Sequence, residues 1–103
     1  MAYAHVVDVA APVEMYDALH AEITAASAGS VPGLLVHVGR ATPAGFQVLE
    51  VWESAEHFER HDADVVLPAM QRLSAGAPGP APRQAVQTFE VHGLVVPGGA
   101  VLV

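Results

Sequence analysis

The most constraining feature of the sequence is a change between residues 45 and 64 in the spacing of its apolar residues, from a pattern typical of a strand to one typical of a helix. Aromatic and β-branched residues between Phe46 and Trp52 favour a pleated, half-buried strand. Ser54 follows, and its hydroxyl oxygen can accept a hydrogen bond from the free N–H groups at the start of a helix. The sequence therefore predicts a strand that ends at Trp52 and a short helix over residues 54–61.

The rest of the chain divides into elements of the same two kinds. Tyr16, Leu19 and Ile23 recur at helical spacing, which predicts one amphipathic helix. Pro68 predicts a break near the middle of the last helical region, because a proline inside a helix removes a hydrogen bond and clashes with the preceding turn. The predicted elements are strands over residues 3–9, 34–40, 46–52 and 85–96, helices over residues 13–26 and 54–61, a helical segment over residues 67–73, and a Gly- and Pro-rich loop over residues 75–83.

This β-α-β-β-α-β order predicts one ferredoxin-like α+β domain over residues 1–103, with a four-stranded antiparallel sheet. Two helices cover only one face of such a sheet, yet the strands carry apolar residues on both faces. A second, identical chain is the simplest cover, so a homodimer is expected. An apolar tail over residues 97–103, if it crossed to the partner chain, would explain the four apolar residues that end the sequence.

Composition narrows the classes of function. The net charge is −7 and no basic patch is present, so neither nucleic acid nor an anionic membrane surface is an expected partner. No apolar run approaches the roughly 20 residues that a membrane-spanning helix requires. The sequence has no cysteine, which excludes disulfides, thiolate catalysis and iron–sulfur clusters and favours a reducing, cytoplasmic location. The four basic residues that leave no basic patch are scattered along the chain, at Arg40, Arg60, Arg72 and Arg83.

Several short motifs, in this order and spacing, resemble the antibiotic-biosynthesis-monooxygenase-like proteins of the dimeric α+β-barrel superfamily. They are PGLLVH at residues 32–37, GFQVLEVWES at residues 45–54 with Phe58 after it, LPAM at residues 67–70 and TFEVH at residues 88–92. The resemblance implies two sheets that face each other and an apolar cavity between sheet and helices in each subunit. Members include cofactor-free oxygenases of polycyclic phenols, haem-degrading enzymes and polyketide cyclases.

The resemblance also separates these activities. Haem-degrading members are similar to one another in an asparagine on the first strand, a tryptophan on the second helix and a haem-ligating histidine beyond it. This chain has His5, His61 and Gln71 at those positions, so no haem is expected. No other cofactor is expected either, because the sequence lacks the glycine-rich motifs of flavin and nicotinamide sites. Cofactor-free oxygenases need only a base or donor in a dry cavity, because the phenolate itself reduces oxygen. A small aromatic substrate is the expected partner.

The histidines of the apolar segments are the candidate catalytic residues. His37 is alone in an apolar strand, where it is either a base or donor in the cavity or a core histidine. His61 is the second candidate, because the resemblance implies that its position faces the cavity. Glu50 either meets solvent at a sheet edge or pairs with a histidine in the cavity. The predicted substrate-binding residues are His5, Glu50, Trp52 and Phe58, although Trp52 equally suits a hydrophobic corner.

Other sites are less well supported by the sequence. His57 and His61 are four residues apart and, with Glu53 or Asp64, could bind a transition metal. A solvated helix face explains the same spacing, and no metal is expected. The sequence contains no dinucleotide fingerprint, phosphate-binding loop or serine elbow.

These observations favour a cofactor-independent monooxygenase, or a related cyclase, that acts on an aromatic polyketide-like substrate in secondary metabolism. The alternative is a non-catalytic ligand-binding or stress-associated dimer whose cavity is filled by side chains. Cavity volume distinguishes the two, since ligand sites are mostly apolar hollows of roughly 300–1,000 Å³.

Overall fold

The fold is taken from a computed structural model that describes residues 2–27, 30–75, 82–96 and 100–101. Its main sheet has four antiparallel strands in the order β2-β3-β1-β4, which confirms the predicted ferredoxin-like α+β class. The elements in chain order are β1 (Tyr3–Val9), α1 (Val13–Ser27), β2 (Leu34–Thr42), β3 (Gly45–Trp52), α2 (Ala55–His61), a π-helical turn (Asp62–Val66), α3 (Leu67–Ser74), β4 (Gln84–Glu90), β5 (Val95–Val96) and β6 (Ala100–Val101).

The strand register sets three ionisable residues in one row. β3 is a central strand, and Glu50 pairs with His5 of β1 on one side and with His37 of β2 on the other. Residues that lie opposite one another in an antiparallel sheet point to the same face. A register shift between Leu34 and Val36 places His37 directly opposite Glu50. The Tyr16 side chain of α1 contacts His37, so the row lies on the face that the helices cover.

The helical region differs from the prediction near Pro68. Ser54 caps α2 as predicted, since its side chain accepts a hydrogen bond from the His57 N–H at 3.3 Å. In place of the break predicted at Pro68, a π-helical turn precedes the proline at Asp62–Val66, and the Leu67 N–H donates to the Asp62 carbonyl oxygen. The wider turn leaves Pro68 in the first turn of α3, where its missing N–H needs no partner.

The last predicted strand is too long. β4 ends at Glu90 instead of residue 96, because the chain bends there and packs the buried Val91 and the half-buried Leu94 against Ala2 and Ala4 on the sheet face away from the helices. β5 and β6 then pair with each other. Residues 97–99 and 102–103 of the predicted crossing tail, and residues 76–81 of the predicted loop, lie outside the described residues.

This second face is only partly covered by the described residues. Val6 and Leu49 on it are half-buried, while Val38 is 47% and Phe89 44% exposed. Arg40, farther along β2, binds Gln47 through a 2.8 Å hydrogen bond at the polar end of the same face. An apolar sheet surface is thus open to a partner. In the described part of the chain, no helix is long and apolar enough to cross a membrane.

Candidate functional site

A cavity of about 680 Å³ lies between the helices and the sheet. Helix α1 turns its apolar side chains toward the sheet, yet none of its residues is buried, because these side chains also border this open space. The volume falls within the range of small-molecule sites. The cavity is therefore not the close-packed interior that the filled-cavity alternative requires. The apolar part of its wall includes Met15, Leu19, Ile23, Phe46, Val48 and Met70.

Glu50 is the centre of the polar part of the wall. Its Oε2 atom is 2.6 Å from His37 Nδ1, and its Oε1 atom is 3.0 Å from His5 Nε2. The Trp52 indole N–H donates to Oε1 as well, at 3.2 Å. The Glu50 side chain is only 13% exposed. Three donors from neighbouring positions thus converge on one buried carboxylate.

The contacts of Glu50 determine its charge. Burial acts to raise the pKa of the Glu50 carboxyl, but the hydrogen bonds from His37 and His5, together with their charges, outweigh burial and lower the pKa to about 2. The carboxyl is therefore ionised at neutral pH and can only accept hydrogen bonds. His37 Nδ1 therefore donates its proton to this carboxylate, and in the uncharged tautomer with that proton Nε2 is an acceptor.

Tyr16 of α1 occupies that acceptor. Its hydroxyl oxygen is 2.7 Å from His37 Nε2, and in the tautomer with the proton on Nδ1 the Tyr16 O–H donates to the imidazole. His20, one turn later, stacks on both rings with centroid distances of 5.4 Å. Sequence reasoning placed Tyr16 only among the apolar helix residues and did not select His20. The available signal was their four-residue spacing on the face that carries Leu19 and Ile23.

His5, Phe58 and His61 all line the cavity. Phe58 stacks on Tyr3 at 5.6 Å and makes an edge-to-face contact with the His5 ring at 4.6 Å. His61 lies against the Trp52 ring at 5.3 Å. Burial lowers the pKa of His61, although the charges of Glu50 and Asp62 act in the opposite direction. A neutral His61 side chain therefore faces the cavity at neutral pH.

Trp52 does not have the position that its predicted role in substrate binding requires. Its side chain is fully buried and is not part of the cavity wall. It points to the same sheet face as Glu50 but lies at the end of β3, where Phe58 and His61 cover it. Trp52 instead holds the Glu50 carboxylate through its indole N–H.

His57 has partners of its own and is absent from the cavity wall. Its Nδ1 atom is 2.7 Å from Ser54 Oγ, and its Nε2 atom is 3.9 Å from a Glu53 oxygen. His61 points to the cavity, so the two histidines do not share a ligand position. Within the described ranges, no group of three or more His, Asp or Glu side chains is arranged to hold a metal ion.

The chain matches no protein-family profile and no curated protein, but its structure resembles several solved ones. SnoaB, a cofactor-independent oxygenase from Streptomyces nogalater, is 18% identical with a TM-score of 0.58 over 88% of this chain and 91% of that chain. A proposed antibiotic biosynthesis monooxygenase from Bacteroides thetaiotaomicron is 16% identical, with a TM-score of 0.63 over 93% and 92% of the two chains.

A third similar structure is a proposed antibiotic biosynthesis monooxygenase from Caulobacter crescentus. It is 15% identical, with a TM-score of 0.64 over 87% of this chain and 89% of that chain. Likeness at this level of identity shows the fold and not the reaction. The predicted resemblance is thereby confirmed for the fold: this chain has the ferredoxin-like α+β fold of the antibiotic-biosynthesis-monooxygenase-like proteins.

Proposed function

We propose that this protein is a cofactor-independent monooxygenase, or a related cyclase, that acts on an aromatic polyketide-like substrate. One observation carries the proposal: the His37 imidazole is held by the ionised Glu50 in the wall of a mostly apolar cavity of about 680 Å³. That volume suits a fused-ring molecule. The likeness to SnoaB, a cofactor-independent oxygenase, supports the oxygenase over the cyclase.

The chemistry needs an acceptor for a proton. A phenol ionises near pH 10 and is mostly protonated at neutral pH, whereas its anion is electron-rich enough to react with oxygen. His37 supplies the acceptor, and the Glu50 carboxylate stabilises the imidazolium that forms. A positioned base of this kind contributes roughly 10²–10⁴-fold to the rate. With a hydroxyanthrone, the ring CH₂ becomes a carbonyl, one oxygen atom enters the product and the other leaves as water.

The first experiment measures oxygen uptake and quinone formation from 1,8-dihydroxyanthrone, corrected for the reaction without protein. We expect one oxygen molecule consumed per quinone. His37→Ala should lower turnover by roughly 10²–10⁴-fold, because the proton acceptor is lost, whereas His57→Ala should change it little. The two variants must melt at similar temperatures for the comparison to hold.

Two results would contradict this proposal. Full activity of folded His37→Ala would reduce His37 to a structural residue. Tight binding of the hydroxyanthrone with no oxygen uptake would favour the ligand-binding alternative instead. A cytoplasmic location and a homodimer belong to the same proposal: the location is inferred from the absence of cysteine, and the dimer from the exposed apolar sheet face.

A further inference from the structure

We propose that Tyr16, and not His37, is the residue that contacts the substrate hydroxyl, and that it passes the proton to His37 behind it. The substrate class that fits is an uncharged fused-ring phenol. The substrate class rests on the function proposed above, while the proton path requires no reaction with oxygen.

Both ring nitrogens of His37 are already engaged. Nδ1 donates to Glu50 at 2.6 Å, and Nε2 accepts from the Tyr16 hydroxyl at 2.7 Å. A substrate hydroxyl would have to displace one of these groups to reach the imidazole directly. Glu50 is itself held by His5 and by the Trp52 indole, which opposes displacement on that side. The direct contact of His37 with a substrate is therefore the less favourable arrangement.

The Tyr16 oxygen can accept a further hydrogen bond, whereas both ring nitrogens of His37 are already engaged. Its oxygen donates one hydrogen bond, to His37, and makes no other among the residues that the structure describes. The lone pairs of that oxygen remain available, and Tyr16 lines the cavity. Burial raises the pKa of Tyr16, and the charges of Asp17 and Glu50 act in the same direction. Tyr16 thus stays a neutral phenol that can receive one proton as it gives up another.

The transfer is balanced in atoms and charge. The substrate O–H bond breaks and its proton binds the Tyr16 oxygen, while the proton that Tyr16 carried moves to His37 Nε2. The products are a substrate phenolate, a neutral Tyr16 and a His37 imidazolium next to the unchanged Glu50 carboxylate. The net charge of the site is the same before and after the transfer.

A glycine on the same strand as His37 leaves space for this arrangement. Gly39 points to the same sheet face as His37, two residues further along β2, and the Tyr16 ring rests directly on its backbone. A methyl group at Gly39 would overlap the Tyr16 ring and hydroxyl. Any other residue there would push the hydroxyl away from the imidazole. The close approach of Tyr16 to His37 thus depends on that glycine.

The charges of the wall select the substrate. Among the described residues that line the cavity there is no Lys or Arg, and Glu50 is a fixed negative charge. A carboxylate or phosphate on the ligand would find no permanent cation and would be repelled by Glu50. A neutral, weakly acidic hydroxyl on an apolar ring system meets neither obstacle.

The test uses 2-naphthol, a stronger acid in its excited state, whose emission reports whether a proton acceptor touches its hydroxyl. Bound to the wild-type protein, 2-naphthol should emit as the naphtholate. Tyr16→Phe should bind it and emit mainly as the neutral naphthol, because the relay has lost its first oxygen. Tyr3→Phe is the matched control, since Tyr3 lines the same cavity but has no bond to His37, and it should behave like wild type.

Each other outcome overturns the inference. Naphtholate emission that survives in Tyr16→Phe would show that the substrate reaches His37 without Tyr16. Emission of the neutral naphthol from the wild-type complex would refute the relay. No binding of 2-naphthol at millimolar concentration would refute the proposed substrate class.

Turnover of 1,8-dihydroxyanthrone separates the two proposals. Naphtholate emission without oxygen uptake would refute the oxygenase and leave the relay intact. Oxygen uptake that is equal in wild type and Tyr16→Phe would refute the relay and leave the oxygenase intact. If both proposals hold, Tyr16→Phe should lose roughly 10²-fold in turnover at pH 7.

Discussion

At the scale of single residues, Glu50 makes the site possible. A carboxylate on an apolar sheet face is unfavourable unless hydrogen bonds replace the water that it loses. His37, His5 and Trp52 supply those bonds, and the first two are its direct neighbours across the sheet. The same contacts fix the tautomer of His37. One buried charge therefore organises both the stability and the chemistry of the cavity wall.

The lowered pKa of Glu50 predicts a specific acid sensitivity. The folded pKa of about 2 lies below the ordinary value of 4.5, so ionised Glu50 stabilises the fold above pH 4.5 and that contribution is lost as the pH falls toward 2. In Glu50→Gln this part of the pH dependence should disappear, a difference of up to about 3 kcal/mol in the free energy of unfolding between neutral and acid pH.

Urea unfolding of wild type and Glu50→Gln over this pH range measures the difference. Glu56→Gln is the control, because Glu56 is exposed and its substitution should leave the pH dependence of wild type unchanged. An identical pH dependence in wild type and Glu50→Gln would show that the Glu50 carboxylate does not stabilise the fold.

The sequence identified individual site residues better than their partners. His37 and Glu50 are visible as polar residues in apolar strands. Their pairing depends on strand register, and the irregularity between Leu34 and Val36 shifts that register in a way that residue types alone do not predict. Tyr16 was missed because a tyrosine on the apolar face of a helix is equally typical of a packed core.

At the scale of elements, the strongest prediction was the strand-to-helix change at Ser54. The local chemistry of a cap is sufficient to start α2, so sequence reasoning was accurate there. Pro68 was harder to interpret, because a proline can be accommodated by a stop, a kink or a wider turn. The π-helical turn at Asp62–Val66 is one such solution, and it joins α2 and α3 at a place where His61 and Asp62 line the cavity.

The Ser54 cap positions the helix that carries Phe58 and His61. Ser54→Ala removes the acceptor of the His57 N–H, and we expect the free energy of unfolding to fall by about 1 kcal/mol. Chemical denaturation measures this change. Ser30→Ala, at an exposed position outside any helix or strand, is the control and should have little effect. Equal stabilities of the two variants would show that the cap does not stabilise α2.

At the scale of the whole molecule, the sheet separates two surfaces with different tasks. One face, with the helices over it, encloses the cavity, and its unfilled space explains why α1 buries none of its own residues. The opposite face is apolar but only partly covered by Val91 and Leu94. The sequence analysis predicted that both faces of the sheet are apolar, because the strands carry apolar residues on both sides. The cavity volume depends on how far the helices stand from the sheet, and no residue pattern encodes that distance.

The open face leads to the prediction of an obligate homodimer. A chain that leaves Val38 and Phe89 exposed on a sheet face gains by covering them, and an interface of roughly 2,000 Å² or more is typical of obligate dimers. Val38→Glu puts a charge on that surface and should shift the protein toward monomers. Ala18→Glu, on the exposed side of α1, should leave the dimer unchanged. Sedimentation velocity at micromolar concentration distinguishes these outcomes, and a folded wild-type monomer there, or a Val38→Glu dimer of undiminished affinity, would show that the face has another use.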